Sequence, residues 1–281
     1  MVNRNKGILL MILSSLFFAL MAAAVKLSGD FPTMQKVFFR NVVGMVVSAI
    51  MILRSGERFA GNNKSYLLLR SMLGLIGVFL YFYAIDRLPL ANAVILNQMN
   101  PFFVMLLAAF FLKEKIKKPQ IGALMIALIG ILFIVRPGFI FDPLPGIAGL
   151  VSAVFAAGGY TTIRYLRLTD HPQVIVFYFT ALSTLSTLPF AGGFLLPTFP
   201  QLMVLLSVGA LATAAQYLMT YAYRYAEAGD LSIYSYGNTL FSIVIGLILW
   251  SEIPDILSML GFSLVIFGAY LNYRSNRHVQ S

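Results

Sequence analysis

The sequence has no cysteine and only two histidines, His171 and His278, which both lie outside the apolar runs. Without cysteine, disulfide frameworks, thiolate metal sites and cysteine nucleophiles are all excluded. Two separated histidines do not supply a metal site either, so we expect no metal and no cofactor. A G-x-x-x-x-G-K-[ST] phosphate-binding loop is also missing, which argues against direct use of ATP by this chain.

Charged residues are scarce as well. They make up 11% of the 281 residues, whereas soluble proteins have about a quarter. Hydrophobic residues make up 59%, and the mean hydropathy of +0.85 reflects long apolar runs rather than scattered core positions. We therefore expect an all-α integral membrane protein.

Ten apolar runs approach the length of about 20 residues that a helix needs to cross a bilayer. Prolines such as Pro32, Pro89 and Pro172 lie near the starts of runs, where proline fits the first helical turn. The first run follows Arg4 and Lys6 as a signal peptide would, but it is longer than a usual signal core, and we interpret it as a mature span. The predicted spans are Gly7–Val25, Met34–Leu53, Tyr66–Ile85, Leu88–Leu112, Pro119–Val135, Leu144–Ile163, Val174–Leu196, Leu202–Ala226, Leu231–Trp250 and Ile256–Tyr273.

One stretch of the chain occurs twice. Moving the sequence by 138 positions places Asn100 on Asn238 and Glu114 on Glu252, in a chain with only ten acidic residues. Chance matches between apolar residues carry little information, but paired amides and glutamates are informative. We interpret the pattern as an internal repeat.

The repeat divides the chain into residues 1–138 and 139–281. Each half has five predicted spans, an odd number, so the second half must enter the membrane from the opposite face. The predicted architecture is therefore ten transmembrane helices arranged as two inverted five-helix repeats. In such proteins the binding site lies near the midplane, where the halves meet.

Basic residues are distributed unequally between the two membrane faces. Of 20 Lys and Arg residues, 15 fall on one side and four on the other, and Arg40 lies within a span. The positive-inside rule then places the basic side, with both termini, in the cytoplasm. The net charge of +10 is thereby explained by membrane orientation, and we expect no nucleic-acid partner. The basic side comprises Arg4, Lys6, Arg54, Arg58, Lys64, Arg70, Lys113, Lys115, Lys117, Lys118, Arg164, Arg167, Arg224, Arg274 and Arg277.

Several spans carry amide and hydroxyl groups, which need partners or water inside a bilayer. Asn97 and Asn100 share a face of span four, and Asn238 shares a face of span nine with Ser235 and Ser242. Such groups either line a wet cavity or bond across helices. We predict that the amides line a substrate cavity. The candidate substrate-binding residues are Asn97, Asn100, Asn238, Arg40, Tyr81, Tyr178, Gln216, Tyr217, Ser235 and Ser242.

Arg40 is the charged residue placed most clearly within an apolar run. It either snorkels to the interface, two turns from the start of its span, or holds a substrate carboxylate or phosphate. Glu114 and Glu252, at span ends, are interpreted as structural groups that cap neighbouring helices or pair with adjacent lysines. No Asp or Glu lies in the middle of a span, whereas proton or sodium coupling commonly uses such a carboxylate. This absence favours a facilitator, an exchanger or a gradient-driven exporter.

Several motifs together are typical of one family of membrane proteins. They are the span-four pattern Pro89…Ala93…Pro101-Phe102-Phe103…Phe111-Leu112-x-Glu114, the Gly122…Gly130 helix after it, and FFRN at Phe38–Asn41. In these motifs the chain resembles the drug/metabolite transporter superfamily, and especially its EamA-like ten-span branch. The resemblance covers nearly the whole chain. It implies a basket of helices around a central cavity lined by spans that include three, four, eight and nine.

The second half departs from this pattern. Thr239 stands where the first half has Pro101, and Thr180 stands near the position at which Arg40 would repeat. The resemblance therefore does not imply a pseudo-symmetric arginine.

Members of that family move amino acids and other small metabolites, often outwards. We therefore expect a secondary transporter, and not an enzyme, that exports or exchanges a small polar metabolite by alternating access. Alternatives are uptake or exchange of a nucleoside-like or S-adenosyl metabolite, a membrane enzyme that uses Arg40 and the glutamates, and a structural membrane protein. The expected partners are a small-molecule substrate and the lipid of the inner membrane, and the expected state is a monomer or a homodimer.

Overall fold

The computed structural model describes residues 4–112, 118–135, 143–166, 169–225, 231 and 234–277. Over these residues it contains helices and connections but no strand. A short 3₁₀ helix, Leu188–Gly193, follows the eighth α-helix. In chain order the α-helices are α1 (Arg4–Leu27), α2 (Thr33–Ser55), α3 (Lys64–Ile85), α4 (Leu90–Asn97), α5 (Asn100–Leu112), α6 (Lys118–Val135), α7 (Leu144–Leu166), α8 (Pro172–Thr187), α9 (Phe199–Tyr225), α10 (Gly237–Trp250) and α11 (Ile256–Arg277).

The helices have the composition that a bilayer requires. Seven of them are long and apolar enough to cross a membrane, and Ile121–Ile134 and Gly237–Trp250 are shorter apolar helices. A helix satisfies its backbone hydrogen bonds internally, which hydrocarbon demands. Large apolar side chains such as Leu53 and Ile248 lie exposed, as a lipid-facing surface needs. The predicted multi-pass membrane protein is confirmed, whereas the number of ten spans stays a prediction.

The prediction of one continuous helix over Leu88–Leu112 is wrong, because α4 ends at Asn97 and α5 begins at Asn100. Pro101 explains the break, since its ring clashes with the carbonyl four residues earlier, that of Asn97. The freed Asn97 oxygen accepts a hydrogen bond from the Asn100 side-chain amide at 3.0 Å.

A turn occupies the equivalent position in the second half. Gln98, after α4, has φ −71° and ψ 2°, and Tyr236, before α10, has φ −66° and ψ −12°. These two residues are 138 positions apart. Two helix interruptions therefore occur in the same register of the repeat, although the second half has no proline at the position of Pro101.

α6 and α11 cross where their backbones touch. A Cβ atom added to Gly130 would lie 2.7 Å from the carbonyl oxygen of Gly261, and one added to Gly268 would lie 2.7 Å from that of Ala123. Small residues allow such close approach in membranes. Residue numbers rise along α6 as they fall along α11, so these helices run antiparallel. The shift of 138 positions carries Gly130 onto Gly268 and Ala123 onto Gly261, so the two contacts are equivalent.

The same shift relates two further helix pairs. Ser14 on α1 donates to the carbonyl oxygen of Ala215 on α9 at 2.9 Å. A Cβ atom on Gly77 of α3 would lie 3.4 Å from the carbonyl oxygen of Ser152 on α7. Ser14 and Ser152 are 138 positions apart, and so are Gly77 and Ala215. The packing of α1 on α9 therefore mirrors the packing of α3 on α7.

Two groups of contacts close the ends of the bundle. At one end, the side-chain amide of Gln35 exchanges hydrogen bonds of 2.7 and 2.9 Å with the backbone of Leu195. At the other end, the Asp170 carboxylate accepts from the backbone N–H groups of Asn62 and Asn63, at 2.6 and 3.3 Å. Gln35, in the first turn of α2, thus binds a connecting segment of the second half, and Asp170, just before α8, binds a connecting segment of the first half. We call these the Gln35 end and the Asp170 end.

Candidate functional site

The two helix interruptions are bridged to each other and to α1 and α7 by side chains. The Gln98 amide donates to the carbonyl oxygen of Ser235 at 2.8 Å. The Asn97 amide donates to the Ser152 hydroxyl at 2.8 Å. From α1, the Ser15 hydroxyl reaches the carbonyl oxygen of Ser235 at 3.3 Å. Asn97 and Asn100 therefore act here as interhelical and backbone-capping groups, which was one of the two roles open to them.

The first turns of α10 carry polar groups that have no hydrogen-bond partner among the described residues. These are the Tyr236 hydroxyl, the Asn238 carbonyl oxygen, and the hydroxyls of Thr239 and Ser242, and all four atoms are buried. An unpartnered polar group in an apolar setting costs roughly 2 kcal/mol or more. A solute that binds beside α10 can satisfy them.

Ser242 also lines a cavity of about 400 Å³ that lies toward the Gln35 end. Its wall also includes Arg87, Asn92, Gly246 and Glu252. Its volume falls in the range of sites for small molecules.

Glu252 joins three helices at the Gln35 end. Its carboxylate accepts from the backbone N–H of Leu90 at 2.8 Å, at the first residue of α4. It also forms an ion pair with Lys26, at the end of α1. Lys26 donates to the carbonyl oxygen of Leu88 at 3.2 Å and lies 5.3 Å from the centre of the Trp250 ring.

The predicted structural role of Glu252 is thus confirmed. Its lysine partner, however, comes from a distant part of the chain. Glu114, Arg136 and the boundary between the halves at 138 lie outside the described residues.

Two arginines lie buried in the interior. Arg40 on α2 is 7% exposed, which disfavours snorkelling to the interface, one of the two roles left open for it. Arg70 on α3, counted with the basic side, is 6% exposed and so lies inside the bundle rather than in a loop. The guanidinium carbons of Arg40 and Arg70 lie 5.2 and 4.4 Å from the centre of the same ring, that of Phe179 on α8.

Several hydrogen-bond donors of these two arginines have no partner among the described residues. Arg40 donates from Nη1 to the side-chain oxygen of Asn41 at 2.8 Å. Its Nε, and the Nε and Nη1 of Arg70, are buried without a partner. Both arginines interact electrostatically with Tyr160 on α7. Among the described residues, no carboxylate forms an ion pair with either arginine.

The predicted tyrosines do not form one group. Tyr81 is buried on α3 and interacts electrostatically with Tyr160. Tyr217 donates to the Ser48 hydroxyl at 3.1 Å, between α9 and α2. Tyr178, in contrast, accepts from the backbone N–H of Gly61 at 3.3 Å, which places its hydroxyl at the Asp170 end.

Gln216 is buried on α9. The structure thus brings Arg40, Tyr81 and Tyr160 together. It places Ser242 in the wall of the cavity, with Asn238 one turn earlier on α10.

Sequence reasoning missed Arg70, Phe179 and Tyr160 as candidates. A signal for Arg70 existed, because it lies within the predicted span Tyr66–Ile85 and follows four span residues. Phe179 and Tyr160 had no such signal, since one aromatic residue among 38 Phe and Tyr residues is not distinctive.

Comparison with protein families gives a match over nearly the whole chain. The model of the EamA-like transporter family matches twice, at residues 5–136 and 144–274. The pseudopaline exporter CntI of Pseudomonas aeruginosa is 35% identical over 266 residues, which cover 93% of this chain and 94% of that protein. A riboflavin transporter of Brucella anthropi is 27% identical, with 84% and 86% covered.

A solved crystal structure also has this fold. It aligns with a TM-score of 0.72 at 18% identity, and the alignment covers 99% of both chains. At that identity the likeness concerns the fold alone.

Proposed function

Because the chain belongs to the EamA-like transporter family, we propose that it exports or exchanges a small polar metabolite, such as an amino acid or a related compound, by alternating access. The relative that is 35% identical is named as an exporter, which supports outward movement. The riboflavin transporter among the relatives indicates that the solutes of this family vary, so the substrate class has to come from the site.

The proposed architecture is two inverted five-helix repeats, residues 1–138 and 139–281. The antiparallel crossing of α6 and α11 supports it, because these helices occupy equivalent positions in the two halves and share the contacts Gly130–Gly261 and Gly268–Ala123. Only an axis in the membrane plane exchanges two antiparallel spans, and that axis inverts one half relative to the other.

The observation that carries the proposed function is the pair of helix interruptions at Gln98 and Tyr236. Interrupted helices at membrane depth mark substrate sites in transporters, because their backbone is tolerated only beside protein or a cavity. The unpartnered groups of Asn238 and Ser242 then bind the solute, while Asn97 and Gln98 hold the interruptions in place.

Alternating access requires that one end closes while the other opens. The Lys26–Glu252 ion pair belongs to the closure at the Gln35 end, because it ties α1 and α4 to α10. With the inner membrane as location and both termini in the cytoplasm, as the distribution of basic residues favours, the Gln35 end is the outer one.

The test is counterflow into proteoliposomes preloaded with single amino acids, dicarboxylates or nucleosides. We expect saturable exchange of at least one solute, and a decrease of about tenfold or more in Asn238→Ala and Ser242→Ala, since a hydrogen bond to the solute is lost. The melting temperature should not fall, because the Asn238 side-chain oxygen and the Ser242 hydroxyl have no partner among the described residues.

Ser263→Ala is the matched control. Ser263 is an exposed serine on α11 that donates only to the carbonyl oxygen of Met259, four residues earlier. Wild-type counterflow in both Asn238→Ala and Ser242→Ala would place the site elsewhere, and no exchange of any solute by folded protein would contradict the transporter itself.

A further inference from the structure

We propose that Arg40 and Arg70 bind the carboxylate groups of the transported solute beside Phe179, so that the substrate is an organic acid of net negative charge. This proposal rests on the proposed transport function and narrows its substrate class. The two guanidinium carbons lie within 5.2 and 4.4 Å of one ring centre, so the two charges are at most about 10 Å apart.

The first argument is electrostatic. Two like charges at this distance in a buried setting repel each other, and each has lost its water. No described carboxylate is paired with either of them. Buried charges in proteins are paired or hydrogen-bonded, and here the missing partner is an anion.

The second argument is the geometry of the free donors. The Nη1 of Arg40 is used by Asn41, whereas its Nε has no partner. A guanidinium N–H donates a charge-assisted hydrogen bond to a carboxylate oxygen. Arg70 likewise has its Nε and Nη1 unpartnered among the described residues, so each of the two arginines has a donor for a carboxylate oxygen.

The third argument is the space around Arg70. Gly74 lies one turn after Arg70 on the same face of α3, and a Cβ atom there would overlap Arg70 Nη1 and lie 2.6 Å from the Phe179 ring. Across the interface, a Cβ atom on Gly159 would lie 3.7 Å from the Arg70 side chain. Glycines on both sides therefore let this side chain reach Phe179.

The arginines also break the symmetry of the repeat. The shift of 138 positions carries Arg40 onto Tyr178 and Arg70 onto Val208. The packing of α6 on α11, and of α1 on α9 with α3 on α7, obeys that shift, whereas the arginine pair does not. A pair absent from the shared architecture is better explained by the solute than by folding.

The two arginines enter the site from opposite ends of the bundle. At 1.5 Å per residue, Arg40 lies about 10 Å along α2 from Thr33, and Arg70 lies about 9 Å along α3 from Lys64. A solute from either end thus meets one guanidinium first and the Phe179 ring next. A solute whose carboxylates bind both Arg40 and Arg70 neutralises the two positive charges near the middle of the membrane.

The net charge of the solute follows. A neutral amino acid would bring its ammonium group beside two cations, which is unfavourable, whereas a dicarboxylate neutralises both. The membrane potential, negative inside, favours outward movement of such an anion, so its export needs no coupling carboxylate within a span.

The test begins with the melting temperature of the purified full-length protein. Removing an uncompensated buried cation removes its desolvation penalty, so Arg70→Met and Arg40→Gln should melt higher than wild type when no solute is added. Arg54→Gln, which removes an exposed arginine from the last turn of α2, is the control and should not change it.

Binding and counterflow use matched pairs of probes. L-glutamate, succinate and citrate should stabilise wild-type protein against heat, and L-glutamine, the uncharged counterpart of glutamate, should not. The arginine variants should weaken both stabilisation and counterflow of the acids by about 10- to 100-fold. Arg40→Lys and Arg70→Lys keep the charge but lose the planar edge, and should weaken them by roughly tenfold.

The outcomes separate the two proposals. Thermal stabilisation by an acid that depends on the arginines, without counterflow, would support the site and contradict transport. Counterflow of neutral solutes that is insensitive to both arginine variants would overturn the site and keep transport. A lower melting temperature in Arg70→Met and Arg40→Gln, together with stabilisation by no acid or only by glycerol 3-phosphate, would also overturn the carboxylate site.

Discussion

Gly261→Leu is expected to abolish the folded protein. A Cβ atom at this position would lie 2.6 Å from the carbonyl oxygen of Gly130 and 2.7 Å from the Ile134 side chain. The first of these contacts is with backbone, which cannot move without separating α6 from α11. Association of helices in a bilayer depends on close packing rather than on the hydrophobic effect, so a separated pair loses its main attraction.

The size of the effect should scale with the side chain. Overpacking costs about 1–3 kcal/mol and sometimes more, so Gly261→Ala should lower the melting temperature, while Gly261→Leu should give no monodisperse peak in gel filtration. Gly268→Leu should behave like Gly261→Leu, because its Cβ atom would lie 2.7 Å from the carbonyl oxygen of Ala123.

Gly122→Leu is the matched control for this pair. Gly122 lies on α6 as well, but a Cβ atom there would meet nothing within 4 Å. Leucine also favours helix over glycine by roughly 0.8 kcal/mol, so the control should fold as well as wild type. A Gly261→Leu protein with the gel-filtration profile and melting temperature of wild type would contradict the crossing described here.

Glu252→Ala should open the Gln35 end. The Glu252 carboxylate is the group that joins the start of α4 to Lys26 on α1. A hydrogen bond to a charged group contributes about 1.5–3 kcal/mol, and 2 kcal/mol corresponds to about a 30-fold change in an equilibrium. If closure at this end depends on that carboxylate, the open state should gain population by about that factor.

Because the natural sequence has no cysteine, one introduced thiol can report whether the cavity is open. Asn92→Cys places a single thiol on the wall of the cavity, and its rate of reaction with a bulky maleimide in detergent reports access to that cavity. We expect the rate to rise by about tenfold or more when Glu252→Ala is added.

Glu57→Ala serves as the control because it removes a carboxylate from the Asp170 end, where Glu57 lies 3.1 Å from His171. It should leave the labelling rate unchanged. Equal rates in the Glu252→Ala and wild-type backgrounds would show that this carboxylate does not keep the cavity closed.

Much of the fold could be predicted because the constraints of a bilayer are local. Every backbone group must bond within its own helix, so long apolar runs become helices whatever surrounds them. The register of the repeat was also visible, since Asn100 with Asn238 and Glu114 with Glu252 were sufficient to find the shift of 138 positions. The family followed from motifs such as FFRN at Phe38–Asn41.

The candidate site could be predicted only in part. Asn238 and Ser242 were found because polar groups in an apolar run are conspicuous, and the structure leaves both unpartnered. Asn97 was found for the same reason, yet its amide is bound to Ser152. Whether an amide faces a cavity or a neighbouring helix depends on which helix lies opposite, and sequence periodicity does not contain that information.

Sequence alone was thus sufficient for the membrane class, most of the described helices, the repeat and the family, because each depends on composition or spacing along the chain. Tertiary structure decided what the charged groups do. Arg70 had the sequence context of a basic residue at the membrane face, but α7 and α8 enclose it beside Phe179. Glu252 meets Lys26, 226 positions away. Contacts between residues so far apart in the chain arise only when the helices pack.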